Sequence, residues 1–266
     1  MTELIAFIAE APWQAMAPFI VIGLLSQLVD GALGAGYGMV SNTLLVALGM
    51  PPATASAATH SIESFTSAAS GLSHAFQRNV DWLLFARLAI PGIIGGLLGV
   101  WLLSIMSLSI LQPILLVYLG AIGTLVLWMA PRRAQSFRTP GHARKIAFAG
   151  GILDATGGGW GAVVAGSLVA QGLTPRTAIG TTNAAEFFVT VTILAALVGN
   201  LGLETISLAV SGLLVGGLLG TPFSAWLTRR LPSKLLAYLV GALLVVLSIS
   251  GMLALIFQPG AMFPRF

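Results

Sequence analysis

The chain has 266 residues, 57% hydrophobic and 8% charged, and its mean hydropathy is +0.97. Soluble domains carry roughly a quarter charged residues, so the composition excludes a soluble globular protein and predicts a polytopic membrane protein. Zero cysteines exclude disulfides, thiolate metal sites and cysteine nucleophiles, and the net charge of +4 does not signal nucleic acid, because the cations gather between apolar segments as the positive-inside bias requires.

In chain order, the first ten residues carry Glu3 and Glu10 but no basic residue, unlike a signal peptide. Apolar segments follow at 13–29, 36–49, 53–75, 82–104 and 110–130. The stretch 131–145 holds Arg132, Arg133, Arg138, Arg144 and Lys145. Further apolar segments run at 146–170, 176–199, 203–228 and 233–257, with Arg229, Arg230 and Lys234 between the last two. Trp13, Trp82 and Trp128 sit near span ends, as interfacial belts demand.

The two halves repeat. Of eight acidic residues, six pair up: Asp30 with Asp154, Glu63 with Glu186 and Asp81 with Glu204. The offset is 123 for the glutamates (186−63) and 124 for the aspartates (154−30). Gly36-Tyr37-Gly38 aligns with Gly159-Trp160-Gly161, and Thr59-His60 with Thr182-Asn183. The predicted organisation is a first repeat over 1–130, a basic cytoplasmic linker over 131–145 and a second repeat over 146–266. In 146–170 the arm from Ile146 to the break at Asp154 spans only about 12 Å, too short for a core of about 30 Å. A re-entrant or short helical hairpin fits better. With hairpins, the basic clusters fall on one face, which predicts an all-α membrane protein of two inverted repeats, each a hairpin plus three transmembrane helices. Arg265 falls on the opposite face.

Each hairpin break is opened by an aspartate, Asp30 or Asp154, and is glycine-rich with one aromatic, Tyr37 or Trp160. Such backbone survives in a bilayer only where protein or a cavity satisfies it. The second arm then starts a helix whose N–H groups suit an anion; the competing reading is close helix packing by small residues. Pro52 and Pro175 are placed at helix starts. From each to its glutamate is 11 residues (63−52 and 186−175), about 16 Å of helix and half the core. Glu63 and Glu186 are therefore expected at the midplane, where ionisable groups mark ion or proton paths; the competing reading is a protonated glutamate bridging helices. His60 and Asn183, three residues earlier, and Thr59 and Thr182, four earlier, share their faces.

Asp81 and Glu204 are expected to be N-terminal helix acids at the interface. Arg87 either snorkels to the cytoplasmic face or lends charge to an anion path. Arg176, opposite Ala53 in the repeat, breaks the symmetry at the cytoplasmic mouth. His74 is expected near an interface.

The stretch closing on Glu63, GALGAGYGMVSNTLLVALGMPPATASAATHSIE, and the stretch from Asp154 to Glu186, DATGGGWGAVVAGSLVAQGLTPRTAIGTTNAAE, resemble the paired signatures of the sulfite exporter TauE/SafE family. The similarity covers most of the chain. It implies a carrier of small sulfur oxyanions in the cytoplasmic (inner) membrane, moved with proton coupling. Thr182-Asn183 agrees with a common polar pattern of that family, whereas the first half has Thr59-His60.

The expected function is a proton-coupled secondary transporter of a small sulfur-containing oxyanion such as sulfite or a sulfonate, held between the hairpin tips. Backbone amides of Gly34–Met39 and Gly158–Ala162, with Asn42, Thr59, His60, Thr182 and Asn183, would bind it. Glu63 and Glu186 would carry protons, since a bare carboxylate repels an anion. Asp30, Asp154, Arg87 and Arg176 would support them. The alternative of the same fold is an uncoupled anion channel or uniporter. An intramembrane enzyme is disfavoured, because His60 and Glu63 make two ligands where a catalytic zinc needs three. No cofactor, resident metal or nucleic-acid partner is expected.

Overall fold

The computed structural model describes residues 12–33, 36–105, 108–129, 141–171, 173, 175–201, 204–230 and 233–257. Glu3, Glu10, Gly34, Arg132, Arg133, Arg138, Gly172 and Arg265 lie outside the described residues, as do the side chains of Arg176, Glu204, Arg229, Arg230 and Lys234. Among the described residues all regular structure is helical. Three segments, Trp13–Asp30, Trp82–Ile105 and Thr177–Gly199, are long and apolar enough to cross a membrane. Hydrocarbon offers no partner to backbone N–H and C=O groups, and a helix satisfies them within itself.

The first half comprises α1 (Trp13–Leu33), α2 (Tyr37–Ala47), α3 (Pro52–Phe76), α4 (Trp82–Ile105) and α5 (Leu108–Met129). The second comprises α6 (Ala143–Gly157), a π-helical turn (Gly161–Ala165) running into α7 (Gly166–Ala170), then α8 (Pro175–Leu201), α9 (Glu204–Arg230) and α10 (Ser233–Phe257). Pro52 opens α3 and Pro175 opens α8, as their missing N–H favours. Asp81 caps α4: its Oδ1 accepts the N–H groups of Leu83 and Leu84, each at 3.0 Å.

The helices pack crosswise between halves: α1 on α9, α4 on α6, α3 on α8 and α5 on α10. Gly71 of α3 meets Ala184 of α8, and further along α3 His74 meets the earlier Gly180. The two helices therefore run antiparallel. In the same way Gly120 meets Ser248 and Gly251 meets Leu116, so α5 and α10 are antiparallel. Small residues let these backbones approach: Ala55, Ala58, Ala155, Ala178 and Ala185 are fully buried beside Leu88, Trp160 and Ile193. Large apolar side chains such as Phe65, Phe76 and Ile90 face outward, the inverse of a water-soluble surface. Trp13, Trp82 and Trp128 are exposed near helix ends.

One expectation needs correcting. The first arm of the second half is not confined to Ile146–Leu153: α6 runs Ala143–Gly157, 15 residues and about 22 Å, and the helix stops at Gly158, inside the glycine-rich stretch 154–161. Gly158 supplies the stop. Its backbone is left-handed (φ 66°, ψ 39°) and its N–H closes on the Asp154 carbonyl, the glycine C-terminal arrangement that releases a helix. Asp154 keeps its carbonyl in the helix while its side chain bonds forward. In the first half α1 likewise continues past Asp30 to Leu33.

Candidate functional site

The site forms where the two hairpin tips meet. A Cβ on Gly158 would overlap the backbone of Gly38, so tip touches tip and the left-handed backbone at Gly158 is doubly restricted to glycine. Beside this contact lies a cavity of about 300 Å³ lined by Asp30, Gly36, Tyr37, Glu63, Thr66, Ser67, Ser70, His74, Gly158, Gly161, Ile179, Asn183 and Glu186. Glu63 on α3 and Glu186 on α8 thus share one cavity, and among the described residues neither lysine nor arginine lines it.

The aspartates differ in how they meet the arm that follows: Asp30 lines the cavity beside Gly36 and Tyr37. The N–H of Trp160 donates to Asp154 Oδ1 at 3.0 Å. One of the amides expected to hold a substrate is therefore occupied by the chain's own carboxylate, whose charge also suits a helix start. The Glu63 carboxylate packs against Gly38, its Oε1 where a Cβ on that glycine would stand. Glu63 Oε2 is buried and lacks a hydrogen-bond partner.

The aromatic of each tip locks it to the other half. Tyr37 donates its hydroxyl to the Leu213 carbonyl of α9 at 3.3 Å. Trp160 is completely buried and donates Nε1–H to the Thr182 carbonyl of α8 at 3.2 Å. Both rings thus serve as anchors, and only Tyr37 also lines the cavity.

Other residues singled out in the sequence fall in two places. Asn183 lines the cavity and donates to Ser70 Oγ at 2.6 Å. Behind the cavity, Asn42 donates to the Thr156 carbonyl at 3.2 Å, and Thr59 Oγ1 lies 3.2 Å from Ser41 Oγ. Thr182 is fully buried with its hydroxyl unpartnered. Gly159 is buried in the second tip outside the cavity lining. Arg87 lies apart, half-buried in a second hollow with Gly141, His142, Ala143, Arg144 and Lys145.

His60 is fully buried and also sits behind the cavity. Its Nδ1 is 2.7 Å from the Ser56 carbonyl, and its Nε2 is 3.3 Å from Asp154 Oδ2 and 4.0 Å from Glu63 Oε2. Sequence spacing supplies only His60 and Glu63; the fold adds Asp154, so one His nitrogen and two carboxylate oxygens lie within 4.8 Å of one another. Sequence reasoning also missed Ser56, whose Oγ donates to the Ala155 carbonyl at 2.7 Å, and the hydroxyl stripe Thr66, Ser67 and Ser70. The stripe had a signal, since residues three, four and seven beyond Glu63 share its helix face.

The site's two signatures sit in a chain with known relatives. The sulfite exporter TauE/SafE profile matches residues 19–251. The chain is 37% identical over 240 residues to the probable membrane transporter protein YtnM of Bacillus subtilis (strain 168), covering 86% of this chain and 80% of that protein. No solved structure matches. With both hairpin signatures inside the matched span, the chain belongs to the sulfite exporter TauE/SafE family and is a multi-pass membrane transporter of that type.

Proposed function

We propose that the protein carries a small sulfur oxyanion across the cytoplasmic membrane, coupled to protons, with the anion bound in the cavity between the hairpin tips. The observation that carries this reading is one cavity lined by Asp30, Glu63 and Glu186, with the Glu63 carboxylate set against the Cα of Gly38 at the tip. With Asp30, Glu63 and Glu186 around one cavity, a charged oxyanion meets like charges unless protons neutralise them. Protonating Glu63 removes its share of that repulsion, so loading and protonation favour each other. The hydroxyls of Ser67 and Ser70 and the amide of Asn183 are further donors on the cavity wall.

Inverted halves suit this mechanism, since alternating access uses two related bundles around one site. Support comes from the antiparallel contacts of α3 with α8 and α5 with α10. The test is flux into proteoliposomes under an imposed pH gradient, with sulfite, a sulfonate, thiosulfate and a sulfur-free carboxylate in parallel. One sulfur anion should be driven by the gradient. Glu63→Gln and Glu186→Gln should each keep downhill movement of that anion and lose the pH-driven part. Full pH-driven flux in both variants would sink the coupling proposal, and unitary conductance steps would make the protein a channel.

A further inference from the structure

The His60–Asp154 contact raises a question that the two glutamates do not answer. Ser56 O, 2.7 Å from His60 Nδ1, can only accept, so Nδ1 is assigned the ring proton of the neutral imidazole. Ser56 Oγ, 3.2 Å from the same nitrogen, is free to accept as well, because it gives its own proton to the Ala155 carbonyl. That leaves the Nε2 lone pair facing Asp154 Oδ2 at 3.3 Å and the partnerless Glu63 Oε2 at 4.0 Å. A lone pair facing two carboxylate oxygens among buried side chains is repulsive, and one proton among the three groups turns it into a hydrogen bond.

We propose that His60, Asp154 and Glu63 share a proton at the root of the second hairpin, so that the proton site of the first half is this triad and not Glu63 alone. This rests on the transport reading above. The step conserves charge. When Glu63 Oε2 closes the present 4.0 Å to hydrogen-bond distance, the Glu63 carboxyl gives its proton to Nε2, Glu63 becomes a carboxylate beside Gly38, and the imidazolium so formed is stabilised by Asp154. Asp154 Oδ1 holds the Trp160 N–H, so the charge on the triad bears directly on the second tip. Other titratable groups around it are Glu186 on α8, Asp30 on α1 and the Tyr37 hydroxyl on α2, with His74 farther along the cavity wall. The second half has no such relay, because Asn183 stands where His60 stands in the repeat and an amide does not titrate.

The test reads the proton itself. The chain has three histidines, so protein labelled with nitrogen-15 histidine in lipid gives three assignable rings, sorted with His74→Asn and His142→Asn. Nδ1 of His60 is expected protonated throughout, with Nε2 at the intermediate position of a shared proton. In Asp154→Asn the Nε2 signal should move to the unprotonated position at neutral pH. In Glu63→Gln, which removes the proton's donor, the Nε2 signal should move the same way; an Nε2 that stays shared there would confine the proton to His60 and Asp154 and overturn the triad. Should Asp154→Asn fail to fold, Asp154→Glu serves, since it keeps the carboxylate and should shift the Nε2 signal without abolishing sharing. A His60 Nε2 unprotonated at every pH in the wild type overturns the triad. So does a divalent metal bound one per chain and lost in His60→Asn, which would mean that these donors hold a cation. Neither readout needs flux: wild type that moves no tested anion ends the transport reading, while the nitrogen signal still decides the triad.

Discussion

The two halves use the same parts in different registers. Where α4 crosses α6, a Cβ on Gly95 would overlap the Phe148 carbonyl and one on Gly99 would lie 2.8 Å from the Ile152 carbonyl. Where α9 crosses α1, Gly216 stands in the same way against Ile20 and Gly220 against Leu24. These contacts relate α6 to α1 by 128 residues (148−20 and 152−24), yet the aspartates are 124 apart (154−30). From Leu24 to Asp30 is six residues and from Ile152 to Asp154 two, so α1 runs about one helical turn farther before its aspartate. The packing register thus places Ser26, fully buried with an unpartnered hydroxyl, opposite Asp154. Asp30 reaches the cavity wall, while Asp154 stays behind it with His60. A duplicated motif has become two chemically different ends of one site.

The largest effect should come from the point where the halves touch. Gly158→Ala puts a methyl into the Gly38 backbone at a left-handed position, and overpacking plus strain should cost about 3 kcal/mol. Gly166→Ala, where a Cβ meets nothing within 4 Å, should be neutral or slightly stabilising. Thermal unfolding in detergent compares the pair, and equal melting temperatures would remove the tip-to-tip contact from the account. Next come Gly95→Ala and Gly216→Ala, each expected to cost about 1–3 kcal/mol. Similar losses support equivalent crossings; a loss at only one breaks the comparison where α4 and α9 pack.

The aspartates sharpen it further. Asp154 sets one oxygen on the Trp160 N–H and the other 3.3 Å from His60 Nε2, whereas Asp30 lines the cavity beside Gly36 and Tyr37. Asp154→Asn should therefore cost about 2 kcal/mol and Asp30→Asn about 1. The reverse order in denaturant titrations would mean that the extra turn of α1 buries Asp30 in contacts worth more than the His60 pair.

What the sequence made legible was local. Pro52 and Pro175 set the helix starts, which puts Glu63 and Glu186 each 11 residues into its helix, and the fold brings them to one cavity. The glycine-rich stretch 154–161 marks the break, but the helix end at Gly158 within it depends on the forward bond from the Trp160 N–H to Asp154, which lets the helix continue past the aspartate. Contacts between halves had no local signal. Asp154 meets His60 across 94 residues and Trp160 reaches the Thr182 carbonyl, and both follow only once α6 has packed against α4 and α3 against α8.

The smallest expected effect tests whether the third duplicated pair belongs to the site at all. Asp81 bonds the first N–H groups of α4, and its own N–H donates to Thr181 Oγ1 on α8 at 3.0 Å. That backbone bond survives a change of side chain, so Asp81→Ala removes the cap alone, at a cost of about 1 kcal/mol. Asp81→Asn, which keeps an oxygen at the cap, should lose only a few tenths of that. Because Asp81 is exposed and lines no part of the cavity, sulfite flux per folded protein and its dependence on the pH gradient should match wild type in both variants. A change in coupling at unchanged stability would carry the α4 start into the mechanism through Thr181, one residue before the Thr182 carbonyl that holds Trp160, and the six duplicated acids would have to be treated as one network. Unchanged coupling leaves four acids in the site and assigns Asp81 to holding the end of α4.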